Sequence, residues 1–294
     1  MEGRSAQAME GRSAPAGSLP WHPAWSSPVR PKYVTLILFV ALLGVGSLAG
    51  GVLALSDGDY RGVILLLGSP FMLLLAVNGF AMRFRMRQRA AESVDFTESA
   101  ASEERGVRLP YGAVVWSFYC LWPVVILIFF GPFFVASLSN IATNPRDVET
   151  LIQLGVTGFA TGYASCFVVD LFRRRLRRGM IVLSPVGVYH RSWSFDSFFP
   201  WESVHYVDAG EADGPLVELA IMPGRGSWYR RISKLWKQAE LAFDPNMAVP
   251  GKWLSVDPAL LYWALRYYHE HPEARGELAG TAGVQRLHCG AVLS

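Results

Sequence analysis

Charge is scarce in this chain. Only 17% of its 294 residues are Asp, Glu, Lys or Arg, against about 25% in an ordinary soluble domain. That deficit, with a mean hydropathy of +0.25, points to lipid-embedded segments. Lysine is scarcer still: Lys32, Lys234, Lys237 and Lys252 are the only four among 27 basic residues, and the rest are Arg. Three cysteines are too few and too scattered for a disulfide framework or a zinc site. Cys120 and Cys166 lie in apolar runs and read as small hydrophobes.

The sequence also lacks the motifs that announce chemistry. No phosphate-binding GxxxxGK[ST], no zinc-binding HExxH, no GxSxG elbow and no GxGxxG followed by an acidic residue occurs. His269 and His271 flank Glu270, but positions two apart on a helix point roughly 200° from each other, so they do not chelate one metal. His190, with Asp196 and Glu202 nearby in sequence, is the nearest approach to an acid–base set. No nucleophile or metal-ligand set accompanies it, and it reads as structural. The expectation is a protein of non-enzymatic type with no catalytic residue, metal or cofactor.

Long apolar runs are abundant. A hydrocarbon core about 30 Å thick takes roughly 20 apolar residues of helix, and four segments qualify: Tyr33–Leu55, Gly62–Met82, Tyr111–Leu138 and Leu151–Phe172. The first lies too far in, and runs too long, for a cleavable signal peptide. The third contains Pro123 and Pro132, which predict a tilt or kink. The organisation that follows is a disordered tail over 1–32, with MEGRSA at Met1 and again at Met9, and a first transmembrane hairpin over 33–82. A polar cytoplasmic loop over 83–110 leads to a second hairpin over 111–172. A cytoplasmic domain over 173–278 and a disordered tail over 279–294 complete the chain.

Orientation follows from the Lys/Arg bias of the loops. The two outer turns hold one Arg each, Arg61 and Arg146. On the other side lie Arg30 and Lys32, then Arg83, Arg85, Arg87 and Arg89, then Arg173, Arg174, Arg175, Arg177 and Arg178. Both termini are therefore expected in the cytoplasm, in a multi-pass protein of the plasma (inner) membrane. The nine Arg from Arg83 to Arg89 and from Arg173 to Arg178 are candidates for anionic inner-leaflet headgroups, at about 1 kcal/mol apiece. Inside the spans, Gly46–Gly50 and Gly158–Gly162 have the small-xxx-small spacing that lets helices approach. Ser47, Asn78 and Thr161 are candidates to hydrogen-bond between helices. Asp170 is expected to pair with Arg173 or Arg174 one turn away.

From Gly179 the pattern changes to short alternating runs. MIVLS is followed by the turn chemistry of Pro185-Val186-Gly187, then GVYHRSW, with Val188, His190 and Ser192 on one side and Tyr189, Arg191 and Trp193 on the other. FFPWESVHYV and LVELAIM add further strands, the former begun or broken at Pro200. This spacing predicts a small antiparallel sandwich or barrel. Asp257 is placed to cap a helix with Pro258 at its first position, running through ALLYWALRYYHEH to Pro272. Leu261, Leu265 and Tyr268 share one face of it.

A strand, a tight turn, GVYHRSW, PWESV and a final helix running into HPEARGEL resemble bacterial pleckstrin-homology-like domains. More closely they resemble uncharacterised bacterial multi-span membrane proteins that carry such a domain behind their spans. The resemblance covers roughly Gly179–Leu278. It implies two packed antiparallel sheets with a helix closing one end, and a core containing Trp201, Ile181, Leu183, Val188 and Val204. Phosphoinositide-binding members carry several Lys/Arg between their first two strands, and Ser184–Gly187 has none, so the resemblance lends no support to that ligand. The basic, aromatic stretch from Arg225 to Lys237 reads as a solvated loop or strand edge.

The expected fold is thus an α-helical membrane bundle of four transmembrane helices plus a C-terminal α+β pleckstrin-homology-like domain. The expected role is to anchor that module, which binds a protein partner or the membrane surface; no nucleic-acid partner is expected, and homo-oligomerisation is left open. The alternative is a small oligomeric channel or transporter subunit with the module as a regulatory or assembly element. The near absence of ionisable residues inside the spans counts against it.

Overall fold

A computed structural model of the chain describes residues 19–25, 31–60, 62–84, 86, 89, 91–98, 105–222, 224–233, 235–236 and 246–293. Four of its helices are long and apolar enough to cross a membrane: α1 (Pro31–Ser56), α2 (Gly62–Phe84), α3 (Ala113–Thr143) and α4 (Val148–Phe172). They form two hairpins, α1 with α2 and α3 with α4. The α3–α4 hairpin is a compact unit of its own, residues 113–177, and the rest of the chain forms the other unit. Helix α3 runs unbroken through Pro123 and Pro132 for 31 residues. At 1.5 Å per residue that is about 46 Å, longer than a bilayer core of about 30 Å.

The glycines that bring α1 against α2 are not the expected pair. A Cβ on Gly51 would lie 2.9 Å from the Gly62 carbonyl oxygen, and one on Gly62 would lie 2.6 Å from that of Gly51. Gly44 is similarly filled by Leu73, whereas Gly46 has nothing within 4 Å. In the other hairpin Gly158 meets Phe134, and Gly162 is open. The Asn78 amide donates to the Met82 sulfur at 3.8 Å within its own helix. Its Oδ1 and the Thr161 hydroxyl are buried with no hydrogen-bond partner among the described residues, so neither makes the expected cross-helix bond. Asp170 pairs with Arg175 at 3.5 Å. The helix ends at Phe172, and a positive φ at Arg174 turns the chain so that Arg175 comes back over the last turn.

The largest correction concerns the polar loop over 83–110. It contributes two strands, β1 (Asp95–Glu98) and β2 (Arg105–Pro110), to a sheet continued by β3 (Met180–Leu183), β4 (Gly187–Arg191) and β5 (Phe195–Pro200). After β6 (Val204–Glu211) and β7 (Pro215–Ile221), β8 (Trp228–Arg231) returns to its edge, in the order β1-β2-β3-β4-β5-β8. A second antiparallel sheet has the order β6-β7-β9, with β9 at Met247–Pro250. The second hairpin is therefore inserted between β2 and β3. These strands pair through Pro110↔Met180, Leu109↔Ile181 and Val107↔Leu183, and the Tyr111 N–H donates to the Gly179 carbonyl at 2.9 Å.

Burial explains why this works. Val107, Leu109, Ile181, Leu183 and Val188 are all fully buried and share one face by register. Trp201 is 2% exposed, and its indole N–H donates to the Ser184 carbonyl at 2.8 Å. That bond is accepted from the β3–β4 turn, where a Cβ on Gly187 would lie 2.4 Å from the Phe199 carbonyl oxygen. Helix α5 (Pro258–Glu270) is capped by Asp257, whose carboxylate accepts from the Ala259 N–H at 2.9 Å. It lies on β6 and β7 and buries Leu261, Leu265 and Tyr268 completely.

Neither terminal tail is wholly as expected. Residues 279–294 contain α6 (Thr281–Cys289), with Leu287 and Val292 buried and the His288 ring 3.1 Å from the Val94 carbonyl oxygen. An αL Gly290 ends that helix, as a C′ glycine does. At the other end, residues 19–25 pack on the sheet domain with Leu19 and Trp25 buried. Residues 1–18, including both copies of MEGRSA, lie outside the described residues.

Candidate functional site

The two ends of the hairpin α1–α2 converge on one carboxylate of the sheet domain, that of Asp213. Asp213 sits in the β6–β7 turn, with φ +53° followed by Gly214 at φ +122°. A Cβ at residue 214 would lie 3.2 Å from an Arg83 guanidinium nitrogen, so glycine here supplies both the backbone conformation and room for that cation. Arg83, the penultimate residue of α2, donates to the Asp213 carboxylate at 2.6 Å and also to its carbonyl. Lys252, in the short turn after β9, donates to the same carboxylate at 2.9 Å. The Tyr33 hydroxyl, near the start of α1, donates to its other oxygen. The Arg83 guanidinium also lies 4.0 Å from the centre of the Tyr33 ring, a cation–π contact.

The electrostatics follow from that geometry. Partial burial would raise the Asp213 carboxyl, but donation from Tyr33, Lys252 and Arg83 outweighs it and holds the group well below the usual carboxylate range. Asp213 is therefore an anion at any physiological pH. Its side chain remains 53% exposed while that of Arg83 is 13% exposed, so solvent reaches the latch from one side. The latch ties both ends of a helical hairpin to one turn of the module.

Arg89 makes a second tie. It donates to the carbonyls of Leu254 and, at 3.4 Å, of Lys252, and to that of Ala81 at 3.3 Å. Burial lowers its pKa to about 10, partly offset by the charge of Asp257, so it remains a cation. Of the other headgroup candidates, Arg173, Arg174 and Arg177 are exposed, with Arg177 donating to the Arg174 carbonyl at 2.9 Å. Arg175 is bound to Asp170. Arg178 donates to the Tyr111 carbonyl at 2.5 Å, closing the neck of the inserted hairpin. Arg85 and Arg87 lie outside the described residues.

The three groups weighed as an acid–base set are not brought together. His190 is paired across the sheet with Ser197, and Arg191 with Asp196, which puts the His190 and Asp196 side chains on opposite faces. His190 is fully desolvated, which pushes its pKa down to about 3. Its Nε2 is 2.8 Å from the Tyr111 hydroxyl. Asp196, itself fully buried, is bracketed by Arg191 at 3.1 Å and Arg230 at 2.7 Å. Glu202 is exposed in a 3-10 turn. Among the described residues, no cluster of three or more His, Cys, Asp or Glu is placed to hold a metal. No family model, curated protein or solved structure matches the chain.

Sequence reasoning missed Asp213, Lys252 and Tyr33 altogether. The only local signal was the turn chemistry of Glu211-Ala-Asp-Gly-Pro215, which locates a turn and says nothing of the hairpin 130 residues earlier.

Proposed function

We propose that this is a non-enzymatic, multi-pass protein of the bacterial plasma membrane whose helices hold a pleckstrin-homology-like module at the cytoplasmic face as a docking platform for a protein partner. The observation that carries this reading is the latch at Asp213. A module that merely trailed behind its spans would need no ties from Tyr33, Arg83 and Arg89 back to the ends of the first hairpin. Two antiparallel sheets with a helix lying on the second of them support the pleckstrin-homology-like assignment, with a helical hairpin inserted between two strands as its distinguishing feature. The exposed Arg173, Arg174 and Arg177 are suited to anionic headgroups and would keep the module close to the bilayer.

Proximity labelling from a tag on the C-terminus of the full chain, beside an unrelated protein tethered to the same membrane, tests this. A small set of cytoplasmic proteins enriched over the tethered control is the expected result. A labelled set indistinguishable from that control would remove the docking role.

A further inference from the structure

Residues 19–25, LPWHPAW, form a small folded island against the module. Trp25 donates its N–H to the His22 carbonyl at 3.0 Å, closing a turn with Pro23 at its second position, where proline is favoured. The Trp21 indole donates to the Trp25 carbonyl at 3.2 Å, and the two indole rings meet edge-on at 4.9 Å. The segment is thus pre-shaped by its own residues, as a recognition peptide must be if ordering is not to consume its binding energy.

The surface beneath it is equally specific. Trp25 is 3% exposed and hands its indole N–H to the Leu216 carbonyl of β7 at 3.2 Å. In the other direction Trp263 of α5 donates its indole N–H to the Pro20 carbonyl at 2.9 Å. Tyr262 of α5 receives both the His22 ring at 5.0 Å and the Trp25 ring at 5.7 Å. One buried aromatic anchor and a hydrogen bond in each direction are features of a peptide site rather than of nonspecific coverage.

We propose that the surface made by Tyr262, Trp263 and the Leu216 carbonyl is a docking site for short tryptophan-bearing peptide segments, with residues 19–25 as its resident intramolecular ligand. This rests on the reading of the module as a docking platform and names the chemistry of what docks. Six peptide steps separate Trp25 from Pro31, the first residue of α1, a reach of no more than about 20 Å. So short a tether gives the segment a high effective concentration, and a partner's segment must displace it to bind.

The test uses the full chain in detergent and a fluorescent peptide of residues 18–27, SLPWHPAWSS. With Trp21 and Trp25 both changed to Ala, the chain should bind the peptide with micromolar affinity. Wild type, whose site is occupied, should bind at least tenfold more weakly. Trp263→Phe added to the vacated chain should weaken binding at least threefold. Absence of binding to the vacated chain, or equal binding by wild type, would overturn the proposal. A chain deleted for residues 2–25 serves as a second vacated form. Failure of both forms to fold would make the segment a structural part of the module and overturn it equally. Proximity labelling reports separately on the platform, so a failed peptide with an intact labelled set discards this site alone.

Discussion

Single residues decide how the module is tied to the first hairpin and how its sheet is held, and two of them, Asp213 and His190, make stability sensitive to pH. The Asp213 carboxyl titrates below its unfolded value of about 3.9 because Tyr33, Lys252 and Arg83 donate to it. A depressed carboxylate contributes stability that is present above the unfolded value and lost as pH falls through the folded one. The latch is therefore intact at neutral pH and opens only below about pH 4. Asp213→Asn should lower the melting temperature in detergent by about 2–4 °C at pH 7, since solvent-touched ion pairs are worth about 1 kcal/mol, with the difference beginning to shrink only as pH falls below about 4. Hydrogen exchange at the α2 C-terminus should rise in the same variant. His190 acts in a higher window. Its folded pKa of about 3 lies below an unfolded value near 6.5, so its contribution is complete above that value. The contribution is lost progressively as pH falls toward the folded one. Between pH 6.5 and 4.5 the loss is on the order of 2 kcal/mol, and His190→Gln should flatten that part of a melting curve against pH. An unchanged slope in the variant would place the sensitivity elsewhere.

Elements show what could be read from the chain and what could not. The four spans were legible because each is an uninterrupted apolar run longer than the bilayer requires. Strands β3, β4 and β7 and helix α5 were legible because Ile181, Val188, Leu219 and Leu265 recur with strand or helix periods. Strands β1 and β2 were not. DFTE and RGVRLP are short and half polar, and pairing makes them strands: β1 with β2, and β2 with β3 across an insertion of some 70 residues. The same physics hid α6, whose Leu287 is buried only because the chain folds back to the segment around Val94. Small-xxx-small spacing also misled. The face of α1 that meets α2 carries Gly44 and Gly51, where a Cβ would clash, rather than Gly46 and Gly50, where it would not. Gly51→Ala should therefore destabilise the hairpin by about 1–3 kcal/mol through overpacking. Gly46→Ala, with nothing within 4 Å, should be neutral or slightly stabilising, and melting of the two variants side by side checks this. The neighbouring ends of the insertion give a second test. Replacing residues 113–177 by a four-residue glycine linker should leave the sheet protected from hydrogen exchange, because Tyr111 and Gly179 are already bonded. Loss of protection in β3 would mean that the hairpin is needed to form the sheet.

At the scale of the whole molecule, the sheet joins segments that lie far apart in the chain. Its strands come from before and after the second hairpin, so the chain leaves and rejoins the sheet at neighbouring residues, Tyr111 and Gly179. Both ends of the first hairpin reach Asp213. In the proposed function the arginine distribution is what assigns these ends to the cytoplasm. Cys289, exposed on α6, reports on this directly when Cys120 and Cys166 are changed to Ala. A membrane-impermeant maleimide applied to sealed cells should leave Cys289 unlabelled until the membrane is opened. The same reagent should label a cysteine placed at Asn144, in the α3–α4 turn, from the start. Labelling of Cys289 in sealed cells, with residue 144 protected, would contradict the account.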